Sequence, residues 1–409
     1  MASKLGENFD KLSIAAGISN VGDGVFGAAF PLLVASITRD PFLVAGATLA
    51  SRLPWLLFAL LSGALVDRMD RKRVMVITNI LRTVGITLMA VGIAADQTYL
   101  WVIYLVAFGL GLSETFFDTS AEAFTPRTVS EEQLGAANGR LQSLEWAGNA
   151  FVGPPLGAFL FAVAASLPFF FDAATFAIAA ILIALIPGTF RSERVEKTSV
   201  RFDIADGLRW LWNQKVVRTL SIMAGVTNMF TMGIVAIFVL YAQDILGVSD
   251  TGYGLLLSSI GVGGLAGAVG APKIVDAIGS GNTIRATLIV QILATGAFAF
   301  ISSPWTAGVL MLFFGFLITA WNVVAVTLRQ SLTPDDKRGR VAGASRLLAW
   351  GSQPLGALFG GATAAAFGLR SPFLISAAAF VVATALIWRI VSNESIEAAR
   401  NAPRTTAAT

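Results

Sequence analysis

The sequence predicts an all-α membrane protein of twelve transmembrane helices, arranged as two pseudo-symmetric six-helix bundles. Three observations lead there: a composition too apolar for a water-soluble globule, twelve apolar runs of spanning length, and a repeat that relates the second half of the chain to the first. Of its 409 residues, 55% are hydrophobic and 13% are charged, against about 25% charged in a typical soluble domain. Mean hydropathy is +0.73. Such a chain lacks the polar surface to cover itself in water.

A helix needs about 20 mainly apolar residues to cross a bilayer. In chain order the runs are 12–36, 42–66, 74–95, 99–124, 136–165, 167–187, 217–243, 252–272, 283–302, 304–328, 340–367 and 371–391. They are long and continuous, unlike the ten-residue alternating strands of a membrane barrel. The charged N-terminal stretch MASKLGENFDKL reads as a cytoplasmic lead into a retained first span. With that end inside, Arg68, Arg71, Lys72 and Arg73 after the second span are cytoplasmic, and so is the basic cluster between Arg191 and Arg218. The short opposite-side loops hold only Arg39 and Arg370. This positive-inside asymmetry accounts for the net charge of +4 with no nucleic-acid partner. It puts both termini in the cytoplasm of a multi-pass protein of the inner (cytoplasmic) membrane, expected to be monomeric.

Between the sixth and seventh runs lies the longest loop, FRSERVEKTSVRFDIADGLRWLWNQKVVR. From Asp203 to Val217 it has helical spacing, with Ile204, Leu208, Leu211 and Trp212 on one side, as in an amphipathic helix lying at the interface. The expected organisation is therefore an N-terminal bundle over 1–187, a cytoplasmic linker over 188–216, and a C-terminal bundle with a short tail over 217–409.

The halves repeat. FTPRTVSEEQLGAANGRLQ (124–142) matches LTPDDKRGRVAGASRLL (332–348), aligning Pro126 with Pro334 and Arg140 with Arg346. VGPPLGAFL (152–160) matches SQPLGALFG (352–360), and LPFFFDAATFAIAAILIALI (167–186) matches SPFLISAAAFVVATALIWRI (371–390). Both copies have the same topology, so the repeats are parallel, an arrangement that places a site near the bilayer midplane where the halves meet.

Chemistry is constrained by two absences. Without cysteine or histidine there are no disulfides, no thiolate chemistry and neither of the commonest metal ligands. No cofactor or metal is expected, and proton transfer falls to Asp, Glu, Lys, Arg or Tyr. No G-x-x-x-x-G-K-[ST] pattern and no recognisable nucleophile set is present, so the chain does not read as an enzyme. Asp23 lies about 11 residues into the first run, roughly 17 Å deep at 1.5 Å per residue. An ionisable group at that depth is a functional-site hypothesis by default. Arg52 reaches similar depth from the other side and is expected to form a midplane ion pair with Asp23. Glu114, Asp118 and Glu122 follow i, i+4, i+8 spacing and share one helix face, a ladder suited to proton uptake and release. Glu145 joins it from the fifth run. The second half has Asn322, Val326 and Gln330 at the matching positions, which confines proton coupling to the first half. Asp172 reads as a helix cap near the outer surface, and Arg82, Arg140 and Arg346 as gate or snorkelling residues near the cytoplasmic side. Phe26, Phe30, Phe116, Phe117, Asn149, Phe230, Trp321 and Asn322 are candidate lining for a substrate cavity.

One stretch is more specific. Gly63-x-x-x-Asp67-Arg68-x-x-Arg71-Lys72 resembles the loop signature G-x-x-x-D-R-x-G-R-R of the major facilitator superfamily. Asp70 stands where many members have glycine. That acid gives the pattern DRxDRxR, similar to the branch containing macrolide-efflux and enterobactin-export proteins. Gly22-Asp23, LPWLL at 53–57, DGLRWLWNQKVVR, YGLLLSSIGVGG and RGRV agree with the same branch. Gly153, Pro154, Pro155 and Gly157 resemble the fifth-helix element of exporting antiporters. A proline removes a helix hydrogen bond and glycines admit close packing, so a plain kinked helix would look the same. The resemblance implies a drug:proton antiporter-like protein whose partners are a small-molecule substrate, protons and the lipid bilayer. Gly63, Asp67, Arg68, Arg71, Arg140 and Arg346 would then form a cytoplasmic gate. Asp67 would meet the positive end of a helix, and Gly63 would permit close approach. The expected function is proton-coupled efflux of hydrophobic or cationic drugs by alternating access. Export of a metabolite or siderophore, or lipid transport, is the alternative. A non-transporting receptor or scaffold would need a soluble output domain, which the loop at 188–216 and the short tail do not supply.

Overall fold

All twelve apolar runs are helical in the computed structural model, which describes residues 5–66, 68–190, 200–334 and 337–401. The first six runs become α1 (Glu7–Ile37), α2 (Pro41–Val66), α3 (Arg71–Ala94), α4 (Leu100–Phe124), the pair α5 (Leu134–Glu145) and α6 (Gly153–Val163), and α7 (Leu167–Ala184). The amphipathic stretch becomes α8 (Val200–Asn213). There follow α9 (Lys215–Asp244), α10 (Asp250–Ile278), α11 (Ser280–Phe298), α12 (Pro304–Leu332), the pair α13 (Arg338–Gly351) and α14 (Gln353–Phe367), α15 (Ser371–Ile387) and α16 (Asn393–Asn401). Among the described residues, nine helical stretches are long and apolar enough to cross a membrane, one of them running from Glu131 to Val163 through α5 and α6.

Two runs that read as single spans are interrupted, both just before a proline. In the fifth, a π-helical stretch, Trp146–Val152, separates α5 from α6, and Pro154 stands in the first turn of α6. In the eleventh, Ser352 separates α13 from α14. It donates its hydroxyl to the Gly225 carbonyl at 2.9 Å, and Pro354 stands in the first turn of α14. Proline disfavours the α conformation in the residue before it and cannot donate into the preceding turn. Inserted π turns recur at functional positions in helices.

The contacts divide the chain into two units. The first comprises 1–197 with 236–261, the second 198–235 with 262–409. In the first, α1 packs on α6 and α7, α2 on α4, and α3 on α4 and α7. Phe9, Met75, Phe124 and Ile183 are buried together where α1 and α3 begin and α4 and α7 end. The later part of α9 and the earlier part of α10 belong to this unit because they are fastened to it. Arg39 pairs with Asp244, Gln243 Oε1 accepts from Arg39 at 2.6 Å, and the Ser258 hydroxyl donates to the Phe151 carbonyl at 3.4 Å. Gly254 and Gly261 let α10 lie against the fifth span. A Cβ on either would come within 2.6 Å of the Pro154 or Ala150 carbonyl oxygen.

In the second unit, α11 packs on α12 and α15, and α8 on α13. The apolar face of α8 covers protein: Leu211 is fully buried against Val341 and Ala344, and Arg340 pairs with Asp206 at 2.9 Å. Trp212 remains exposed, with Arg218 stacked on it at 5.6 Å. The tail after the last span carries no apolar run, yet it forms α16, with Ile396 buried beside Leu220 and Leu328.

Asp70 has a physical role. Its side chain caps α3 by accepting from the Arg73 amide at 3.1 Å and accepts from the Phe190 amide at 3.0 Å. It thus ties the loop after the second span to the segment after the sixth, helped by Lys72, which donates to the Ile186 carbonyl at 2.9 Å. The second unit makes the same tie in reverse. Asn393, after the twelfth span, accepts from the Gly281 amide at the start of α11 at 2.7 Å and donates to the Ile278 carbonyl at 2.9 Å.

Candidate functional site

Ionisable side chains from α1, α2, α3, α4, α5 and α7 of the first unit converge at spanning depth. At their centre is Arg82 of α3, 4% exposed, its guanidinium over the rings of Phe117 at 5.3 Å and Phe176 at 4.9 Å. Asp23 of α1, Asp118 of α4 and Asp172 of α7 all lie within Coulombic range of it. Glu114 and Glu145 act on both Asp23 and Asp118. Arg52 approaches Glu114 at 3.9 Å, where Asp23 is the expected partner; Asp23 feels Arg52 more weakly than it feels Arg82. Asp23 is half-buried, while Asp118 and Glu145 are open to solvent. Charges at this depth face a bundle interior or a water-filled cavity rather than lipid.

Two residues take parts that sequence reasoning missed. Arg82 does not snorkel at the cytoplasmic surface; it stands midway along α3 and is buried among the acids. Asp172 does not cap a helix. Ser166 stands at the start of α7, and Asp172 lies past the first turn, 1% exposed. The Thr175 hydroxyl donates to its backbone carbonyl at 2.7 Å and lies 3.4 Å from Oδ1. Oδ2 has no hydrogen-bond partner among the described residues. α1 passes so close here that a Cβ on Gly22 would overlap Thr175 and Asp172. The signal was available: an acid beyond the first turn of an apolar helix is deeper than a cap.

The fifth-span glycines set the position of Asp23. A Cβ on Gly153 would sit 2.5 Å from the Gly24 Cα, and one on Gly157 would overlap Val25. The fifth span therefore lies directly on the turn of α1 that carries Asp23. Asn149, in the π-helical stretch, presents its backbone to Gly24 and exposes its side chain. Pro155 is half-buried in α6.

The other candidates spread more widely. Glu122 is exposed near the end of α4. Phe26 and Phe30 stack at 4.8 Å, Phe30 in the core, and Phe116 is half-buried. Phe230 packs on Phe359 and Phe380. Trp321 and Asn322 line a cavity in the second unit. Of the gate residues, Asp67 lies outside the described residues. Space around Gly63 is open, Arg68 and Arg346 are exposed, and Arg71 is buried. Arg140 pairs with Asp10 at 2.8 Å over the ring of Phe9.

Comparison with known proteins bears on the family and the fold. The chain is 28% identical over 378 residues to the multidrug efflux pump Tap of Mycolicibacterium fortuitum, covering 88% of this chain and 90% of that one. It is 25% identical over 338 residues to the enterobactin exporter EntS of Salmonella choleraesuis, covering 82% and 80%. Its fold matches the crystal structure of a bacterial homologue of the human lysosomal transporter Spinster with a TM-score of 0.77 at 13% identity, over 97% of this chain and 98% of that one. The sequence model of the Major Facilitator Superfamily matches residues 12–352, and the chain belongs to that superfamily of transporters.

Proposed function

We propose that this transporter expels hydrophobic or cationic small molecules in exchange for protons. The surplus of acid at spanning depth carries the reading. Asp23, Glu114, Asp118, Glu145 and Asp172 share two cations, Arg52 and Arg82. Uncompensated charge is costly where it is withdrawn from water, as at Asp172 and in part at Asp23 and Glu114, so protons or a cationic substrate neutralise the excess. A substrate cation and a proton then compete for the same carboxylates, and that competition is the coupling. No histidine is present to share the task.

In this reading Asp23 and Asp118 exchange protons at the solvent-open side of the cluster, and Arg82 holds whichever carboxylate is ionised. The cytoplasmic gate and the bundle boundaries at 1–187 and 217–409 belong to the same proposal. So do cytoplasmic termini in the inner membrane and a monomeric working unit. Asp67 latches the cytoplasmic side, so Asp67→Asn slows transport and spares substrate binding.

Inverted membrane vesicles test the function. Ethidium uptake driven by an imposed pH gradient, and abolished by nigericin, is the expected result; uptake indifferent to the gradient would remove the proton from the account. The similarity to an enterobactin exporter favours a second reading, export of a siderophore. Competition of enterobactin with ethidium in the same vesicles decides between them.

A further inference from the structure

The two units carry matching positions with different chemistry. Asp23 and Thr231 stand equally far along their helices from Glu7, which opens α1, and Lys215, which opens α9. Arg82 and Gln291 are likewise equidistant from Arg71 and Ser280, the first residues of α3 and α11. Glu114 and Asn322 precede Phe124 and Leu332, the last residues of α4 and α12, by the same interval. At each of these positions a charged side chain of the first unit is replaced by an uncharged hydrogen-bonding one in the second, and the replacement leaves room. A cavity of about 70 Å³ opens among α9, α11 and α12, lined by Asn228, Thr231, Gln291, Trp321 and Asn322.

The lining offers a ligand several hydrogen-bond acceptors. The hydroxyl of Thr227 donates to the Met223 carbonyl at 2.9 Å, that of Thr287 to the Ile284 carbonyl at 2.8 Å, and the Asn228 amide to the Ala349 carbonyl at 2.9 Å. The hydroxyls of Thr227 and Thr287 are thus spent as donors, and what each has left to offer a ligand is oxygen lone pairs. Gln291, 8% exposed, Thr231 and Asn322 make no side-chain hydrogen bond among the described residues. A void of this size is several times the roughly 10–15 Å³ that one water needs. It accepts a group of several heavy atoms, with the indole of Trp321 as a flat apolar wall.

We propose that this cavity binds an uncharged O–H or N–H donor carried on an aromatic ring, such as a phenol, as the substrate's neutral anchor, while the first unit handles charge. Its use in transport rests on the exporter reading; binding itself does not. Displacing ordered water is favourable only for a group that restores its hydrogen bonds, so a phenol must outbind its methyl ether.

Phenol and anisole are the probes, with binding followed by thermal stabilisation of the purified full-length protein. Phenol is expected to bind about tenfold more tightly than anisole, the worth of one hydrogen bond. Gln291→Leu is expected to erase that preference and Thr231→Val, which keeps the side-chain shape, to reduce it. Asp23→Asn is expected to leave it intact even where proton exchange is lost. Equal binding of both probes by the unaltered protein would overturn the proposal, as would a preference unchanged in both Gln291→Leu and Thr231→Val.

Discussion

Arg82 is the cation around which the acids of the first unit are arranged, and its burial makes it costly to lose. Removing one partner of a buried ion pair typically costs about 3–5 kcal/mol, because the other charge is stranded. Arg82 is held by ring contacts and Coulombic attraction rather than by a direct ion pair among the described residues, so Arg82→Gln is expected to lower thermal stability by less than that amount. Adding Asp172→Asn to Arg82→Gln is expected to recover part of it, since Asp172 is the acid most completely enclosed. A double variant no more stable than the single one would mean that Asp172 does not depend on Arg82. Asp70 is the second informative residue. Asp70→Ala removes both the cap of α3 and the tie to Phe190. It is expected to cost about 1 kcal/mol for the cap alone, with Asp70→Asn retaining most of it; comparison of melting curves decides. The sequence flagged Asp70 as a departure from the common glycine. Its reason was hidden because Phe190 lies far along the chain, after the sixth span.

At the scale of elements, Gly153 and Gly157 set the distance between α6 and α1. Gly157→Val drives a branched side chain into the Val25 backbone. Overpacking of this kind costs about 1–3 kcal/mol, and the displacement moves the turn that carries Asp23. The expected outcome is a folded protein with transport reduced at least tenfold; unimpaired transport would show that this contact only fills space. Helix positions were the most legible feature of the sequence, because spanning length and apolar continuity dictate them directly. The breaks at Trp146–Val152 and Ser352 were not, since a hydropathy window sees no difference between an α turn and a π turn. α16 escaped because it is short and mostly polar, and its one buried contact, Ile396, depends on partners far along the chain.

For the whole molecule, the proposed orientation rests on where the bases lie, and the absence of cysteine makes it simple to examine. In right-side-out vesicles, a membrane-impermeant maleimide is expected to label Gln97→Cys and to leave Lys4→Cys and Thr405→Cys unlabelled until the membrane is opened. Labelling of Lys4→Cys in sealed vesicles would invert the topology. The acids of the site were legible one at a time, as charges misplaced in apolar runs. Their common partner was not, since Arg82 looked superficial until α3 was placed against α4 and α7. The central claim is that these carboxylates exchange substrate for protons. Its most direct measurement is substrate-evoked proton movement in proteoliposomes, read with a trapped pH dye. Ethidium is expected to evoke flux with the unaltered protein and none with Asp23→Asn or Asp118→Asn that still bind ethidium, whereas undiminished flux in both variants would contradict the claim.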